Sequence, residues 1–271
     1  KMLGAYGMML PHDERYLMAD EYLTIWHRLM AGESVTHEGK YFQTDGAKLA
    51  LPAGSAIKPP PLWFGGSSDS AIEVAAKHVE TYLSWGETPE QMGDKVAKVK
   101  LRAEAHGRTL DYGIRLYVIV RQTDEKAWEA AEDLYEQMDA AAIAANQRFV
   151  SNTDSVGQQR MSAMHGGIKP DNLRDLEISP NLWAGIGLVR PGPGTAIVGS
   201  PDTVIRTLEA YQKVGVDTFI LSGMPLLEEA YRFGELVLPR LPVERAAPER
   251  KHFTWSTLFD RDLGGKPAQH G

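Results

Sequence analysis

The sequence predicts an α/β fold built around a parallel β-sheet. Four short apolar segments each end in a turn of glycine or polar residues, at 62–64, 81–86, 113–120 and 218–223. A helical pattern follows each segment, at 71–77, 89–106, 124–146 and 226–238. Strands that alternate with helices of this length are typical of βα units. Their strands are apolar because helices cover both faces of the parallel sheet.

The elements ahead of the first strand are predicted to be a helix and a hairpin. Residues 1–12 lack a helix or strand period and are typical of a loop interior. Apolar residues at three- and four-residue steps predict a helix over 13–30, with Asp13 as its N-cap. Residues 35–42 are expected to form a hairpin that turns at Glu38-Gly39.

The first strand runs into its helix through a turn of small residues. The segment 62–69 reads Leu-Trp-Phe-Gly-Gly-Ser-Ser-Asp. Free backbone N–H groups and the positive end of a helix dipole would make this turn an anion site, to which Ser67 and Ser68 add hydroxyl donors. The alternative is a plain strand–helix turn in which Ser68 or Asp69 is the N-cap.

Two later regions are organised differently. Residues 151–194 form a long connection rich in glycine, serine, asparagine and proline. Connections of that length in compact domains tend to be lids or binding loops, so we predict a mobile lid there. The tail at 243–271 has no clean apolar period and is expected to be an extended C-terminal arm.

The composition limits the classes of function. The 271 residues suit one large domain or a large part of one. The formal net charge of −7 disfavours nucleic acid and anionic membranes as partners. The absence of cysteine excludes disulfides and cysteine-ligated metals, and the eight histidines lack ligand spacing. No apolar run reaches membrane-spanning length and no signal-peptide pattern is present, so we expect a cytoplasmic protein without a metal site.

An ordered set of motifs resembles a known family. The chain is similar to the bacterial-luciferase-like flavin monooxygenases in the segments Asp13–Tyr16, Trp63–Asp69, Tyr82–Gly86, Gly113–Arg121 and Asp154–Met161. Further segments resemble the FMNH2-dependent alkanesulfonate monooxygenases, namely Ser179–Gly185, Gly187–Arg190, Leu221–Gly223 and Glu228–Arg232. The resemblance runs from about Leu3 to Pro239 in one order.

The resemblance implies a TIM (β/α)8 barrel, of which this chain would supply strands five to eight. The N-terminal half of the barrel would lie upstream and be missing here. Residues 1–242 would then be the C-terminal part of a single luciferase-like barrel domain, with a lid or insertion at about 151–194. Half a barrel leaves two sheet edges and apolar surface open.

The resemblance also implies a two-component reaction. A separate NAD(P)H-dependent FMN reductase would supply reduced FMN, which reacts with O2 to give a peroxyflavin. That species would oxidise an alkanesulfonate, or a related sulfur compound, to an aldehyde and sulfite. The flavin carries the redox chemistry while the protein positions the substrate and excludes water. The resemblance also implies that the protein is a homo-oligomer, either a dimer or a tetramer.

Site residues carried over from the family form a cofactor set and a catalytic set. Tyr16 and the turn residues Gly66, Ser67 and Ser68 match the contacts to the FMN phosphate. Trp85 matches a position near the flavin, although a tryptophan at a strand end can equally pack in the core.

Two arginines match family positions that stabilise the sulfonate or the peroxyflavin. Arg115 lies inside an apolar strand and Arg190 lies in a glycine-rich loop. Guanidinium groups suit a sulfonate because they donate paired hydrogen bonds. The alternatives are a buried ion pair for Arg115, since an unpaired buried charge is costly, and an exposed loop charge for Arg190.

The chain departs from the family at two active-site positions. Tyr117 stands where the family has histidine, and Met224 stands where it has tyrosine. We expect Tyr117 to belong to the catalytic set and Met224 and Trp183 to line a substrate pocket that is more apolar than usual. These changes leave two alternatives open. One is a luciferase-like oxidoreductase that uses another substrate or a deazaflavin in hydride transfer. The other is a non-catalytic, truncated paralogue.

Overall fold

The computed structural model describes residue 7, residues 10–49 and residues 59–243. The chain divides into two compact units, Lys1–Arg240 and Leu241–Gly271. Every helix and strand of the described residues lies in the first unit. Nearly all of the arm predicted at 243–271, and most of the loop predicted at 1–12, lie outside the described residues.

Four parallel strands form the centre of the fold. They are β3 (Trp63–Gly65), β4 (Thr81–Trp85), β5 (Asp111–Val120) and β9 (Thr218–Ser222), and they lie side by side in that order. The predicted parallel sheet is therefore confirmed, and it curls as part of a barrel would. All four strands point the same way, so their carboxyl ends and the turns that follow them meet at one edge of the sheet.

Helices follow the strands, and all of them except α7 overlap a helix that the sequence predicts. They are α2 (Asp69–His78), α3 (Pro89–Ala105), α4 (Asp124–Glu136), α5 (Ala140–Val150), α7 (Pro201–Lys213) and α8 (Leu226–Leu236). The prediction of one helix over 124–146 was wrong, because Asp139 begins a second helix there. Its carboxylate accepts a hydrogen bond from the backbone N–H of Ala142 at 2.7 Å and caps α5.

The first helix and the hairpin lie ahead of the sheet. Helix α1 spans His12–Met30, one residue earlier than predicted, and Pro11 occupies its N-cap position without a side-chain hydrogen bond. Asp13 is therefore not the cap. Its carboxylate instead accepts a hydrogen bond from the Ser70 hydroxyl at 2.5 Å, which links α1 to α2. A hairpin is confirmed, with β1 at Val35–Glu38 paired to β2 at Gln43–Ala47, but the predicted turn at Glu38-Gly39 was wrong because Glu38 pairs with Gln43 and the turn lies at 39–42.

The segment 151–194 is more structured than a loop. It contains α6 (Val156–His165), β6 (Glu177–Ser179) and β7 (Leu182–Trp183), with short 3-10 helices at Leu173–Leu176 and Gly185–Leu188. Strand β7 pairs antiparallel with β8 (Ala196–Gly199), and β8 extends the sheet beside the second half of β5. The sequence analysis found neither β8 nor α7.

A hydrophobic core cluster lies where this added sheet meets β5 and α4. It contains fully buried aromatic and aliphatic side chains, among them Tyr117, Ile119, Trp183, Ile186, Leu188 and Val198. The second half of the predicted lid, around 182–188, is therefore part of the core. Removing such side chains from water is the main force that holds this layer on the sheet.

Candidate active site

A cavity of about 510 Å³ opens at the carboxyl ends of β3 and β4. Active sites of (β/α)8 barrels lie at this end of the sheet. Six of the predicted site residues line the cavity: Tyr16, Gly66, Ser67, Ser68, Trp85 and Arg115. Trp85 and Arg115 are paired across the ladder between β4 and β5, so the strand register brings them together.

The turn between β3 and α2 forms one wall of the cavity. The Ser68 hydroxyl accepts a hydrogen bond from the backbone N–H of Ala71 at 3.2 Å and caps α2. The plain capping interpretation is thus right for Ser68, and it is compatible with an anion site because Ser67 and Ser68 both border the cavity. Glycine is required at position 66, since a Cβ there would lie 2.4 Å from the Cβ of Ala71.

A second helix begins at the same cavity. Helix α6 is capped by Ser155, whose hydroxyl accepts a hydrogen bond from the backbone N–H of Gln158 at 3.2 Å. Ser155, Val156 and Gly157 line the cavity. A Cβ on Gly157 would lie 3.6 Å from both the Ser67 hydroxyl oxygen and the Trp85 ring. The positive dipole ends of α2 and α6 therefore converge on one space, which favours an anion there.

An ion pair joins α1 to the loop that precedes α6. The Arg15 guanidinium lies 2.6 Å from a carboxylate oxygen of Asp154 and also donates to the carbonyl of Leu10 at 3.2 Å. The hydrogen bond from Arg15 holds the pKa of Asp154 below its usual value. Both residues line the cavity, and neither was identified as a site residue, although both belong to the motifs that carry the family resemblance.

Arg115 presents a positive charge to the cavity, and no carboxylate among the described residues pairs with it. Its Nε is buried and makes no hydrogen bond within the described part of the chain. A guanidinium with an unsatisfied buried donor is costly unless a ligand pairs with it. The buried ion pair considered for this arginine is not seen among residues 10–49 and 59–243, and the arrangement suits an anionic ligand instead.

A buried ion pair lies directly behind the turn. Lys95 of α3 is 5% exposed and pairs with Glu87, which is 2% exposed. The Lys95 ammonium also donates to the Ser84 hydroxyl at 2.8 Å and to the Ser67 hydroxyl at 3.2 Å. Burial lowers the pKa of this ammonium. Arg160 of α6 reaches the other carboxylate oxygen of Glu87 at 3.0 Å.

Sequence reasoning missed Lys95, although the chain carries a signal for it. The residue shares one face of α3 with the buried residues Met92, Val96 and Val99. A lysine on the apolar face of a helix needs a buried partner, and the carboxylate just ahead of the helix, Glu87, provides it.

The other four predicted site residues lie away from the cavity and close to one another. Tyr117 is fully buried, and its hydroxyl makes no hydrogen bond among the described residues. Trp183 belongs to the same core cluster, where its indole N–H donates to the Leu173 carbonyl at 3.1 Å, and Met224 packs against that cluster. The Arg190 guanidinium lies 5.4 Å from the centre of the Tyr117 ring. Catalytic and substrate-pocket roles for these four stay predictions.

Neither a metal-binding cluster nor a membrane-spanning helix is found in the part of the chain that the structure describes. No group of three or more histidine, aspartate or glutamate side chains there could hold a metal ion. None of the described helices is both long enough and apolar enough to cross a membrane.

A comparison with models of protein families identifies the family of this protein. A family profile described as luciferase-like monooxygenase matches residues 1–218. The chain therefore belongs to the luciferase-like monooxygenase family. This agrees with the curled parallel sheet and with a cavity at the carboxyl ends of its strands.

Solved structures share the fold. Riboflavin lyase (RcaE), with modified FMN and the substrate riboflavin, is 22% identical with a TM-score of 0.66 over 88% of this chain and 60% of its own. Long-chain alkane monooxygenase (LadA) is 23% identical with a TM-score of 0.62, covering 86% of this chain and 57% of its own.

A third solved structure, EDTA monooxygenase (EmoA) from Chelativorans sp. BNC1, is 22% identical with a TM-score of 0.60, covering 88% of this chain and 63% of its own. The chain thus spans about 60% of the length of the first of these proteins. Identities at this level show a shared fold and leave the substrate open.

Proposed function

We propose that the protein is an FMNH2-dependent monooxygenase that oxidises an alkanesulfonate. One observation carries the proposal: the N-termini of α2 and α6 meet the Ser67 hydroxyl at a cavity that also contains Arg115 and Trp85. The phosphate of FMN is a dianion, which backbone N–H groups and helix dipoles bind without a lysine in contact. Membership of a flavin-dependent monooxygenase family supports the same cofactor class.

The residues around the cavity fit such a cofactor. The volume of about 510 Å³ lies within the range of roughly 300–1,000 Å³ that is usual for ligand pockets. The Tyr16 phenol and the hydroxyls of Ser67 and Ser68 would hold the phosphate end. The Trp85 ring would lie against the flavin, and the unsatisfied Nε of Arg115 supplies a donor for an anionic group.

Reduced FMN, when bound, supplies the electrons that activate O2. The residues of this chain would orient the substrate and exclude water from it. Arg115 would donate hydrogen bonds to the sulfonate, with Arg190 as a second donor. Tyr117, Trp183 and Met224 would shape the apolar end of the substrate pocket. A separate NAD(P)H-dependent FMN reductase, a homo-oligomeric assembly and a cytoplasmic location belong to the same proposal.

The phosphate site is tested by one charge change at position 68. Aspartate caps helices as well as serine does, so Ser68→Asp keeps the cap while adding a negative charge beside the phosphate. We expect the dissociation constant for FMN to rise by about tenfold or more, because like charges repel. The constant for riboflavin, which lacks the phosphate, should stay the same. Both are measured by quenching of flavin fluorescence.

The matched control is Ser68→Asn, which also keeps the cap but adds no charge, and it should retain FMN affinity. Equal FMN affinity in wild type and Ser68→Asp would show that the phosphate does not bind at this turn. Activity is tested by sulfite release from alkanesulfonates in the presence of a flavin reductase and O2. Binding of F420 in preference to FMN, with no sulfite released, would favour the deazaflavin alternative.

A further inference from the structure

The cluster of Lys95, Glu87 and Arg160 has no part in the proposed function, yet it lies against the wall of the cavity. Its two central members are almost completely buried. Replacing a buried ion pair by apolar side chains is often neutral or stabilising, so stability alone gives little reason to keep a charged pair here. Perturbed buried charges beside a cleft are more often connected with function.

The hydrogen bonds of this cluster assign a direction to the Ser67 hydroxyl. A lysine ammonium has three donors and no acceptor, and the three partners of Lys95 are Glu87, Ser84 and Ser67. Ser84 in turn donates to Glu87 at 3.3 Å. Ser67 accepts from Lys95, so its single hydroxyl proton points away from the ammonium, toward the neighbouring Tyr82 phenol oxygen or toward an anion in the cavity. Ser67 lines the cavity, where a bound anion would be the acceptor.

We propose that Lys95 is a positioning residue for the flavin phosphate, acting through the Ser67 hydroxyl that it polarises. This inference rests on the proposed function. The Lys95 ammonium lies 3.2 Å from the Ser67 oxygen, and its charge makes the Ser67 hydroxyl a stronger hydrogen-bond donor. It also places a positive charge next to the hydroxyl that would contact the ligand. The cluster carries one carboxylate and two cations, and its net charge is therefore favourable to an anion.

Arg160 extends the same cluster to α6. It bonds to Glu87 from the helix whose N-terminus forms the second wall of the cavity. Glu87 thus connects both anion-binding elements, holding Lys95 on the side of the turn and Arg160 on the side of α6. The Tyr82 hydroxyl donates to the Gly66 carbonyl, and so the backbone of the turn is fixed from the same side.

The test compares FMN with riboflavin in variants of the buried pair. Lys95→Met leaves Glu87 buried with one partner fewer and can impair folding. The double variant Lys95→Met/Glu87→Gln removes both charges and avoids that difficulty. We expect the double variant to lose about tenfold or more in FMN affinity and to bind riboflavin within about twofold of wild type. Fluorescence quenching gives both constants, and a thermal melt shows that each variant is folded.

A cycle with Ser67→Ala shows whether Lys95 acts through Ser67. In the Ser67→Ala background, changing the buried pair should cost much less FMN affinity than it does in wild type. Equal losses of affinity for FMN and riboflavin would mean that Lys95 is a structural residue and would overturn the inference. The inference would also be overturned if the effects of Ser67→Ala and of the buried-pair variant on FMN affinity were fully additive. A wild-type protein that binds FMN and riboflavin equally would instead overturn the phosphate site itself, and the inference with it.

Discussion

At the scale of single residues, the buried Nε of Arg115 leads to a prediction that separates binding from stability. Arg115→Met removes a buried Nε–H that makes no hydrogen bond among the described residues. We expect the free energy of unfolding to stay within about 1 kcal/mol of wild type, since no satisfied hydrogen bond is lost. The KM for an alkanesulfonate should rise by about tenfold, the value of one charge-assisted hydrogen bond. Urea unfolding and a sulfite-release assay measure the two effects.

The matched control is the same substitution at Arg121, which directly follows β5. The Arg121 guanidinium lies 2.9 Å from Glu229, a carboxylate that is 3% exposed. Arg121→Met should destabilise the protein by roughly 1–3 kcal/mol, because it removes one partner of a buried charge while Arg232 remains. Destabilisation of the same size at Arg115 would mean that its guanidinium is a structural group.

Sequence reasoning located the cavity residues that stand at ends of predicted strands. Ser67, Ser68 and Trp85 border the cavity because each ends or follows a predicted strand, whereas Tyr16 lies in α1 and was found through the family resemblance. The same reasoning missed Lys95 because a lysine in a helix is ordinarily solvated, so its place on the apolar face of α3 was not taken as a sign of burial. The contact between Arg15 and Asp154 joins residues 139 apart in the chain, which no local pattern contains.

At the scale of elements, the turn between β3 and α2 depends on close packing at Gly66. A Cβ there would lie 2.4 Å from the Cβ of Ala71, a side chain that cannot rotate away. We therefore expect Gly66→Ala to displace the start of α2 and to lower the free energy of unfolding by roughly 1–3 kcal/mol. FMN affinity should fall in the same variant because the backbone donors of the turn move. Chemical denaturation and fluorescence quenching measure these changes.

The control for the turn is Gly234→Ala in α8. A Cβ at Gly234 meets nothing within 4 Å, and the residue lies inside a helix. Alanine should raise the free energy of unfolding there by roughly 0.5–1 kcal/mol, since it restricts the unfolded chain and favours the helix. The two glycine substitutions should thus act in opposite directions. A neutral Gly66→Ala would show that the turn can relax without cost.

Apart from helices α6 and α7, the elements that the sequence failed to predict are short or interrupted ones. The break between α4 and α5 depends on one capping side chain, that of Asp139, inside a stretch rich in alanine. Strand β8 has only four residues, and its pairing to β5 and β7 is a tertiary contact. The prediction of a lid over 151–194 treated small residues as loop residues. Motion of that segment stays a prediction. Because strand β7 is buried, the prediction is now limited to the residues that precede β7.

At the scale of the whole molecule, the fold class was predictable because it depends on long repeated patterns. Apolar strands such as 113–120 are buried on both faces, and the helices between them have clear starts at Thr88 and Thr123. The order of the four parallel strands follows from the right-handed βα connection. The added sheet of β6, β7 and β8 follows no such rule, and only the structure shows where it packs.

Two buried imidazoles predict how the stability of the whole molecule changes with pH. Burial lowers the pKa of His78 and of His165. The Nδ1 of His165 accepts the backbone N–H of Gly167 at 3.0 Å, and its Nε2 is buried without a partner in the described part of the chain. In the unfolded chain both imidazoles would titrate near pH 6.5, about the ordinary value for histidine. Below that pH the unfolded state binds more protons than the folded state.

The free energy of unfolding should therefore fall as pH drops from about 7.5 to 5, before the carboxylates titrate. Asp20 and Asp154, whose pKa values are lowered in the fold, add a further loss only below about pH 4. His165→Asn keeps an acceptor for Gly167 but cannot be protonated, so the loss between pH 7.5 and 5 should be smaller in this variant. Urea unfolding across this range measures the slope, and above pH 7.5 the two proteins should give parallel curves. An identical slope in both would assign the pH dependence to groups other than His165.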